Sequence, residues 1–362
     1  MHVDVPLAER VFLIGPNASG KSNLLDALEF LHELTAVGGG FQQAVAKRGG
    51  VSRLRSFAAR RDPELSISVD LVGDAGTTWS YSLGFTQDNN RRPTIRKETV
   101  VRDGAAVLVR PNDEDKKDPE RLTQTYLEQV QANQPFRDVA DFFLGIRYLH
   151  IVPQLVREPE RSPLRHEDPY GSDFLESIAR TPERTRAARL RRIGDALTVA
   201  IPQLSAVEMT RDKRGAPHLS GRYEHWRPQG AWLTEAQFSD GTLRLMGLLW
   251  ALLEGSGPLL LEEPELSLHP EVVRLIPQLF DRAQRRQRRQ IIVSTHSPEL
   301  LMDAGIGVDE VLILQPQAEG TLVTTAGDAG QVAELVRAGM SLSEAAMPLT
   351  RPPNVEQLTL FG

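Results

Sequence analysis

The sequence has 362 residues, of which 25% are charged, and its formal net charge is −6 at pH 7. This length suits one large α/β domain with insertions or two domains, and the negative net charge excludes a generally basic nucleic-acid binder. No cysteine occurs, which excludes disulfides, cysteine-ligated zinc and thiol catalysis. Because the sequence contains neither an apolar signal segment nor a run of about 18 apolar residues, we expect a cytoplasmic protein without a membrane partner.

The first 150 residues predict a strand and a helix, followed by a meander of strands. Residues 11–14 predict a buried strand that enters a glycine-containing turn, and residues 23–34 predict a helix with leucines on one face. Alternating apolar and polar residues, separated by Gly, Asp and Asn, predict an antiparallel meander over residues 65–72, 78–85, 94–101 and 106–110. A charged loop over residues 111–120 and a mostly helical stretch over residues 121–143 follow.

The rest of the chain predicts more strands, with helices between several of them. A strand over residues 147–152 precedes one or two arginine-rich helices over residues 172–200. A further helix is predicted over residues 270–286. The remaining predicted strands lie at residues 204–211, 218–226, 258–261, 290–294 and 310–314.

These elements predict an α/β fold with a parallel sheet that is covered by helices on both faces. An insertion from about residue 60 to residue 235 splits this sheet. We therefore predict four parts: an N-terminal lobe with the β meander (1–150), a helical arm insertion (151–235), a C-terminal lobe (236–326) and a tail (327–362).

The segment GPNASGKS at residues 15–22 matches a phosphate-binding loop without a gap, and it lies between a predicted strand and a predicted helix. In such a loop backbone N–H groups surround the β-phosphate of ATP, Lys21 bridges the β- and γ-phosphates, and Ser22 ligates Mg²⁺. The alternative, a chance glycine-rich turn, does not explain the flanking elements. The predicted nucleotide-binding residues here are Gly15, Pro16, Asn17, Ala18, Ser19, Gly20, Lys21, Ser22 and Asn23.

Two carboxylates, Glu262 and Glu263, follow an apolar strand. Ligands of open α/β sheets lie at the carboxyl ends of the strands. We predict that Glu262 holds Mg²⁺ through water and that Glu263 polarises the attacking water as a general base. A solvated helix start with acidic residues is the alternative for these two residues taken alone, and the upstream phosphate loop favours the magnesium site.

Two further features are ambiguous by themselves. Ser239, Asp240 and Gly241 form a polar turn before a very apolar helix, and they suit either an anion site at a helix N-terminus or a simple N-cap. His296 follows the apolar strand of residues 290–294, where it either reaches a γ-phosphate or the attacking water or is an ordinary turn histidine.

Together these motifs resemble the ABC-type ATPases in order and spacing, over residues 11–29 and 238–314. SDGT is similar to their signature turn, LLLEEPE to their Walker B segment with its catalytic glutamate, ELSLHP to their D-loop and STHS to their switch histidine. The most similar branch is the RecF/SMC/OLD-like one, with its stand-alone bacterial AAA-type ATP-binding proteins. The resemblance implies that Glu263 and His296 are catalytic.

The resemblance also implies that the signature turn acts on the partner protomer. Ser239 and the N–H group of Gly241 would contact the γ-phosphate of ATP held by a second copy, so a homodimer around two ATP molecules is expected. Gln154 is the candidate Q-loop residue, with a surface polar residue as the alternative. Glu262 stands where many relatives have aspartate.

The expected function is a Mg²⁺-dependent ATPase that drives or gates a nucleic-acid transaction, in repair or anti-phage defence. A separate nuclease or effector protein is the expected partner, since only a tail follows the last predicted strand. Possible DNA or RNA contacts are the arginines of residues 180–192 and 285–289; for the latter, a solvated helix end is favoured. An ABC transporter subunit and a nucleotide-gated scaffold with negligible hydrolysis are the alternatives.

Overall fold

The computed structural model describes residues 3–54, 64–73, 76–158, 167–224, 230–317, 320–352 and 355–360. The strands are β1 (Arg10–Ile14), β2 (Leu65–Val72), β3 (Thr78–Gln87), β4 (Pro93–Arg102), β5 (Ala105–Arg110), β6 (Arg147–Leu149), β7 (Leu204–Arg211), β8 (Pro217–Tyr223), β9 (Ala231–Thr234), β10 (Leu259–Glu262), β11 (Ile291–Ser294), β12 (Val311–Gln317) and β13 (Gly320–Thr325). The α-helices are α1 (Lys21–Thr35), α2 (Phe41–Lys47), α3 (Val51–Leu54), α4 (Asp113–Lys117), α5 (Arg137–Leu144), α6 (Pro153–Arg157), α7 (Phe174–Arg180), α8 (Glu183–Ala200), α9 (Asp240–Leu253), α10 (Pro270–Val273), α11 (Ile276–Gln287), α12 (Gly330–Arg337) and α13 (Leu342–Ala346).

Contacts group the described residues into two compact units. The meander unit comprises Val3 and residues within Ser22–Ile146 and Pro316–Leu322. The sheet unit comprises residues within Asp4–Lys21, Arg147–Gln315 and Val323–Gly362. The four-part division predicted from the sequence stays a prediction about domains.

The largest sheet has the strand order β13-β12-β1-β11-β10-β6. β1 pairs in parallel with β11 and β12, and β10 pairs in parallel with β11 and β6. All five residues of β1 are buried, because helices cover both faces of a parallel sheet and leave no polar face. Strands from both ends of the chain enter this sheet, and the predicted split parallel core is confirmed. The predicted bounds of the insertion are wrong, because β6 lies between residues 60 and 235 and yet pairs with β10 in this sheet.

α9 is apolar around most of its circumference because two hydrophobic clusters enclose it. Leu248 and Leu252 belong to the cluster beneath the parallel sheet, whereas Leu243 and Trp250 belong to a second cluster with α7 and α8. A helix that is buried on opposite faces has no room for a polar stripe.

Within the sheet unit, β7, β8 and β9 form an antiparallel sheet next to α8. Two arginines of α8 have structural roles: Arg186 donates to the carbonyls of Ala179 and Thr181, and the Arg189 guanidinium lies 5.2 Å from the ring centre of Trp250. The predicted arm is therefore helical and β-stranded, and part of its arginine content supports the fold.

The C-terminal region contributes to the core of the sheet unit. Val332 on α12 and Leu342 and Ala345 on α13 lie in the cluster that also contains Phe12 and Ile313. The predicted tail thus contains two helices that bury apolar side chains against the parallel sheet. No helix among the described residues is both long enough and apolar enough to span a bilayer.

The meander unit is built on the predicted antiparallel sheet, with the strand order β2-β3-β4-β5. α1 and α2 pack on it through aromatic side chains: Phe30 stacks on Phe85 at 5.7 Å between ring centres, and Phe41 meets the same ring edge-on at 5.2 Å. The alternating pattern predicted this sheet because one face of each strand is covered and the other is more exposed.

The prediction of a mostly helical stretch over residues 121–143 is wrong. Short 3₁₀ turns occur at Pro119–Thr123 and Gln134–Phe136, and the α-helix begins only at Arg137. The buried carboxylate of Glu98 accepts hydrogen bonds from the backbone N–H groups of Tyr126 and Leu127. These donors are therefore unavailable to a helix, which a local pattern does not reveal.

The charged segment of residues 111–120, predicted as a loop, contains the short helix α4. Asn112 accepts a hydrogen bond from the Asp115 N–H group, and the Asp115 carboxylate accepts one from the Asn112 N–H group. This reciprocal pair is a capping box, which starts a helix even in a short polar segment.

Glu29 on α1 makes the stability of the meander unit depend on pH. Its pKa is raised to about 7, mainly by burial and also by Glu33, while His32, Lys47 and Arg48 act in the opposite direction. Since the unfolded carboxyl has its ordinary pKa, this stabilising term is complete below pH 4.5 and is lost as the pH rises through about 7. We expect the wild-type protein to lose about 2 kcal/mol more unfolding free energy than Glu29→Gln between pH 5 and pH 8. Denaturant unfolding at both pH values measures this difference.

Glu114→Gln is the matched control, since Glu114 is an exposed carboxylate of the same unit. It should keep the wild-type pH dependence. Equal pH dependence in the Glu29→Gln and wild-type proteins would contradict the role assigned to Glu29.

Candidate active site

The predicted motifs meet at the carboxyl ends of β1, β10 and β11. The Glu263 N–H group donates to the Ser294 carbonyl at 2.9 Å, and the Thr295 N–H group donates to the Leu13 carbonyl at 3.1 Å. The parallel register aligns the three strand ends, because Glu262 lies opposite Ser294 and Leu13 is paired with the same residue. Residues that are far apart in the sequence therefore share one edge of the sheet.

The phosphate loop is held close to the strand β12. A Cβ atom added to Gly15 would lie 2.5 Å from the Leu314 carbonyl oxygen and 2.7 Å from the Ser19 hydroxyl, so only glycine fits. Gly20 has a φ of 100°, in the left-handed region that favours glycine. Asn17 and Ala18 are exposed at the tip of the loop.

Lys21 lies inside this loop and is almost fully buried. Its ammonium group donates to the carbonyls of Gly15 and Pro16 at 3.0 and 3.2 Å. Burial lowers the pKa of Lys21, while the carboxylates of Glu263 and Glu262 raise it. The predicted phosphate-binding cation is thus positioned by its own loop and lies in the field of the predicted catalytic carboxylates.

Ser22 and Asn23 lie in the first turn of α1 and are exposed. They belong to the meander unit, whereas the loop up to Lys21 belongs to the sheet unit. Their predicted contacts, including the magnesium contact of Ser22, stay predictions.

Glu263 and His296 are brought together, as the motif predicts. His296 Nε2 lies 3.4 Å from Glu263 Oε1, and both side chains are partly exposed. Burial lowers the pKa of His296, Lys21 lowers it further, and Glu263 raises it. Glu263 also has a φ of 45°, a left-handed conformation that is uncommon for a residue with a side chain and is concentrated at functional sites.

Glu265 is a site residue that the sequence reasoning missed. Its Oε1 atom accepts hydrogen bonds from the Thr295 hydroxyl at 2.5 Å and from the His296 N–H group at 3.2 Å. Burial raises the pKa of this carboxyl, and its Oε2 atom is buried with no hydrogen-bond partner among the described residues. Glu265 therefore holds the histidine loop, and the third glutamate of the EEPE segment was the available signal.

The second carboxylate, Glu262, is contacted by two residues at the end of β6. The Tyr148 hydroxyl donates to Glu262 Oε2, and His150 Nδ1 lies 3.2 Å from the Glu262 carbonyl oxygen. Gln154, the predicted Q-loop residue, is exposed on α6. Tyr148 and His150 carried no sequence signal, because only the β6–β10 pairing brings them to Glu262.

The polar turn before α9 is an N-cap and has a close backbone contact. The Ser239 hydroxyl accepts a hydrogen bond from the Thr242 N–H group at 3.2 Å. A Cβ atom on Gly241 would lie 2.4 Å from the Ser267 carbonyl oxygen, so glycine allows the turn to approach the segment after Glu265. Asp240 begins α9 and pairs with Arg157. Ser239 is therefore the N-cap of α9, as the alternative interpretation expected. Anion binding by the same turn stays a prediction.

A protein-family model described as "AAA domain, putative AbiEii toxin, Type IV TA system" matches residues 10–303, more than three quarters of the chain. The chain belongs to this AAA-domain family. No curated protein matches its sequence. The family assignment confirms the predicted ATPase class, and this AAA-domain protein is an ATPase that binds nucleotide.

Solved head domains of SMC proteins share the fold of this AAA-domain protein. An Smc head bound to the C-terminal winged-helix domain of ScpA is 13% identical, with a TM-score of 0.52 and coverage of 90% of this chain and 93% of that chain. The Smc head domain with a coiled coil and joint from Pyrococcus yayanosii is 10% identical, with a TM-score of 0.51 and coverage of 93% and 96%. At these identities the likeness shows the fold alone, and it confirms the predicted fold class.

One arginine of the basic segment of residues 285–289 has a structural role in this AAA-domain protein. Arg289 is buried and donates to the carbonyls of Gly257, Ala251 and Glu254. Burial lowers its pKa to about 10. Arg289 therefore caps the C-terminal end of α9 and is unavailable to nucleic acid. Because it is buried, the favoured interpretation of this segment as a solvated helix end is wrong for this residue.

Proposed function

We propose that this ATPase forms a homodimer around two ATP molecules and that the ATP-bound dimer drives or gates a nucleic-acid transaction. The observation that carries the proposal is the convergence of Lys21, Glu263 and His296 at one edge of the parallel sheet. The sequence holds one phosphate loop and one signature turn. In a dimer of two copies in opposite orientation, each ATP would contact the phosphate loop of one copy and the signature turn of the other.

In the proposed reaction Glu263 accepts a proton from the water that attacks the γ-phosphate. His296, at hydrogen-bonding range of Glu263, orients that carboxylate and the water. Lys21 offsets the negative charge that develops on the phosphate oxygens. The depressed pKa of His296 favours a neutral imidazole, which can accept and donate hydrogen bonds.

Magnesium fits the chemistry of the donors at this edge. The carboxylate of Glu262 supplies the hard oxygen ligand that Mg²⁺ prefers, and Ser22 is the predicted second ligand. When bound, Mg²⁺ would neutralise charge on the ATP phosphates. The Tyr148 hydroxyl contacts the Glu262 carboxylate and orients it.

The N-terminal end of α9 is the feature that supports the proposed dimer. The first backbone N–H groups of a helix and its dipole favour an anion. Ser239 caps one of these groups, at Thr242. The N–H group of Gly241 is left for the γ-phosphate on the partner protomer.

The nucleic-acid role is proposed from exposed arginines on α8. Arg184, Arg191 and Arg192 are exposed and make no ion pair among the residues that the structure describes. Such guanidinium groups suit phosphate backbones and make binding salt-dependent.

A separate nuclease or other effector protein is proposed as the partner, in repair or anti-phage defence. A related head fold, the Smc head, is bound to a domain of another protein, ScpA.

The test is the mass in solution of Glu263→Gln protein with and without Mg-ATP. This change removes the general base and keeps the side-chain volume, so ATP should persist. A monomer that becomes a dimer only with ATP is expected, and adding Ser239→Arg should abolish the dimer. A protein whose mass does not respond to ATP would contradict the proposal. Glu271→Gln, an exposed carboxylate on α10, is the matched control.

A further inference from the structure

Arg157 joins α6 to the signature turn. Its Nη2 atom donates to the Phe238 carbonyl oxygen at 2.7 Å and to Asp240 Oδ1 at 2.6 Å. These two acceptors lie on either side of Ser239, the N-cap of α9. One guanidinium group therefore fixes both flanks of the residue that is proposed to contact the phosphate of the partner protomer.

The backbone held by Arg157 has little freedom elsewhere. Phe238 is buried, and its ring lies 2.9 Å from the place where a Cβ atom on Gly221 would stand. Gly241 approaches the Ser267 carbonyl closely. The turn is thus anchored on three sides, and Arg157 is the only one of these anchors that carries charge.

The charge of Arg157 matters because Asp240 begins α9. A carboxylate at this position interacts favourably with the helix dipole, but it repels a second anion at the same helix end. The ion pair is only partly exposed, with side-chain exposures of 20% for Arg157 and 42% for Asp240. Solvent therefore screens the repulsion incompletely, and the guanidinium group cancels the charge of Asp240.

We propose that Arg157 is a positioning residue that prepares the signature turn to accept phosphate, by fixing Ser239 and by neutralising Asp240. The inference rests on the proposed function, since the phosphate belongs to ATP on the partner protomer. It assigns Arg157 no contact with ATP of its own protomer.

The placement of Arg157 also links two parts of the site. α6 begins four residues before Arg157, directly after the segment that carries Tyr148 and His150. These two residues contact Glu262, the proposed magnesium ligand.

The experiment measures the dimer dissociation constant in Mg-ATP by sedimentation, with Glu263→Gln as the parent protein. Arg157→Gln should raise this constant about tenfold or more, because the turn loses an anchor and Asp240 loses its counter-charge. Arg157→Gln combined with Asp240→Asn should recover most of the affinity, because the uncompensated charge is gone. Arg157→Lys should lie between the parent and Arg157→Gln, since lysine keeps the charge but not the planar fork.

The controls separate charge compensation from a loss of stability. Arg351→Gln removes an exposed ion pair with Glu356 in the C-terminal region of the same unit and should keep the parental dimer constant. ATP binding by the monomer, measured at protein concentrations well below the dimer dissociation constant, should be unchanged in Arg157→Gln.

Two results would overturn the inference alone: an unchanged dimer constant in Arg157→Gln, or a double variant as weak as Arg157→Gln. A parent protein that never dimerises with ATP would instead overturn the proposed function, and the inference with it. The two failures are therefore distinguishable.

Discussion

Glu263→Gln should lower the rate of ATP turnover by about 10²- to 10⁴-fold, the usual contribution of a positioned general base. The amide cannot accept the proton of the attacking water, whereas the volume and the contact with His296 are kept. ATP affinity should change little, because the phosphate loop and Lys21 are untouched. The rate of phosphate release checks the expected loss of turnover, and nucleotide binding by the same protein checks that ATP affinity is kept.

The comparison for this prediction is Glu265→Gln. Glu265 contacts the backbone of His296 and the Thr295 hydroxyl and is assigned no proton transfer. Since an amide oxygen still accepts those hydrogen bonds, a smaller loss of turnover is expected. Turnover of Glu263→Gln within about threefold of the wild-type rate would rule out Glu263 as the base, and it would favour a different proton acceptor.

Arg110→Met should destabilise the meander unit by about 3–5 kcal/mol, the typical cost of removing one partner from a buried ion pair. Arg110 donates to Glu98 at 2.8 Å and to Asp115 at 2.9 Å, and all three side chains are fully buried. Methionine would leave the Glu98 carboxylate without a counter-charge and would leave Asp115 only its longer contact with Arg121, at 3.5 Å. Denaturant unfolding of the purified variant measures the loss.

Arg92→Met is the matched control, since it breaks an arginine–carboxylate pair on the surface of the same unit. Arg92 bonds Glu120 at 2.7 Å, and both side chains are largely exposed. Surface pairs contribute about 0–1 kcal/mol, so a small effect is expected. Equal losses in the two variants would mean that burial of the Arg110 cluster carries no special cost.

Local patterns were sufficient where a residue's environment follows from its neighbours in the chain. The alternation of residues 65–110 predicted the meander sheet, and the apolar runs predicted β1, β10 and β11. The failure over residues 121–143 has a distant cause: the Glu98 carboxylate on β4 takes backbone donors that a helix would need. A pattern confined to the segment contains no trace of that acceptor.

The candidate site divides in the same way. The spacing of GPNASGKS and the order of the EEPE and STHS segments predicted Lys21, Glu263 and His296, whose roles stay predictions. Tyr148 and Arg157 have no recognisable motif. Their contacts with Glu262 and the signature turn arise because β6 pairs with β10 and because α6 packs near α9.

The sequence by itself therefore determined the phosphate loop, the family and the alternation of strands and helices, because these depend on short-range spacing and hydrophobic period. Only the tertiary structure decided which charges meet. It buried Arg289 as a helix cap, placed Arg157 on Asp240 and paired Tyr148 with Glu262. The physical reason is that an ionic or hydrogen-bonded contact depends on distance in space, and residues far apart in sequence become neighbours only through the pairing of strands and the packing of helices.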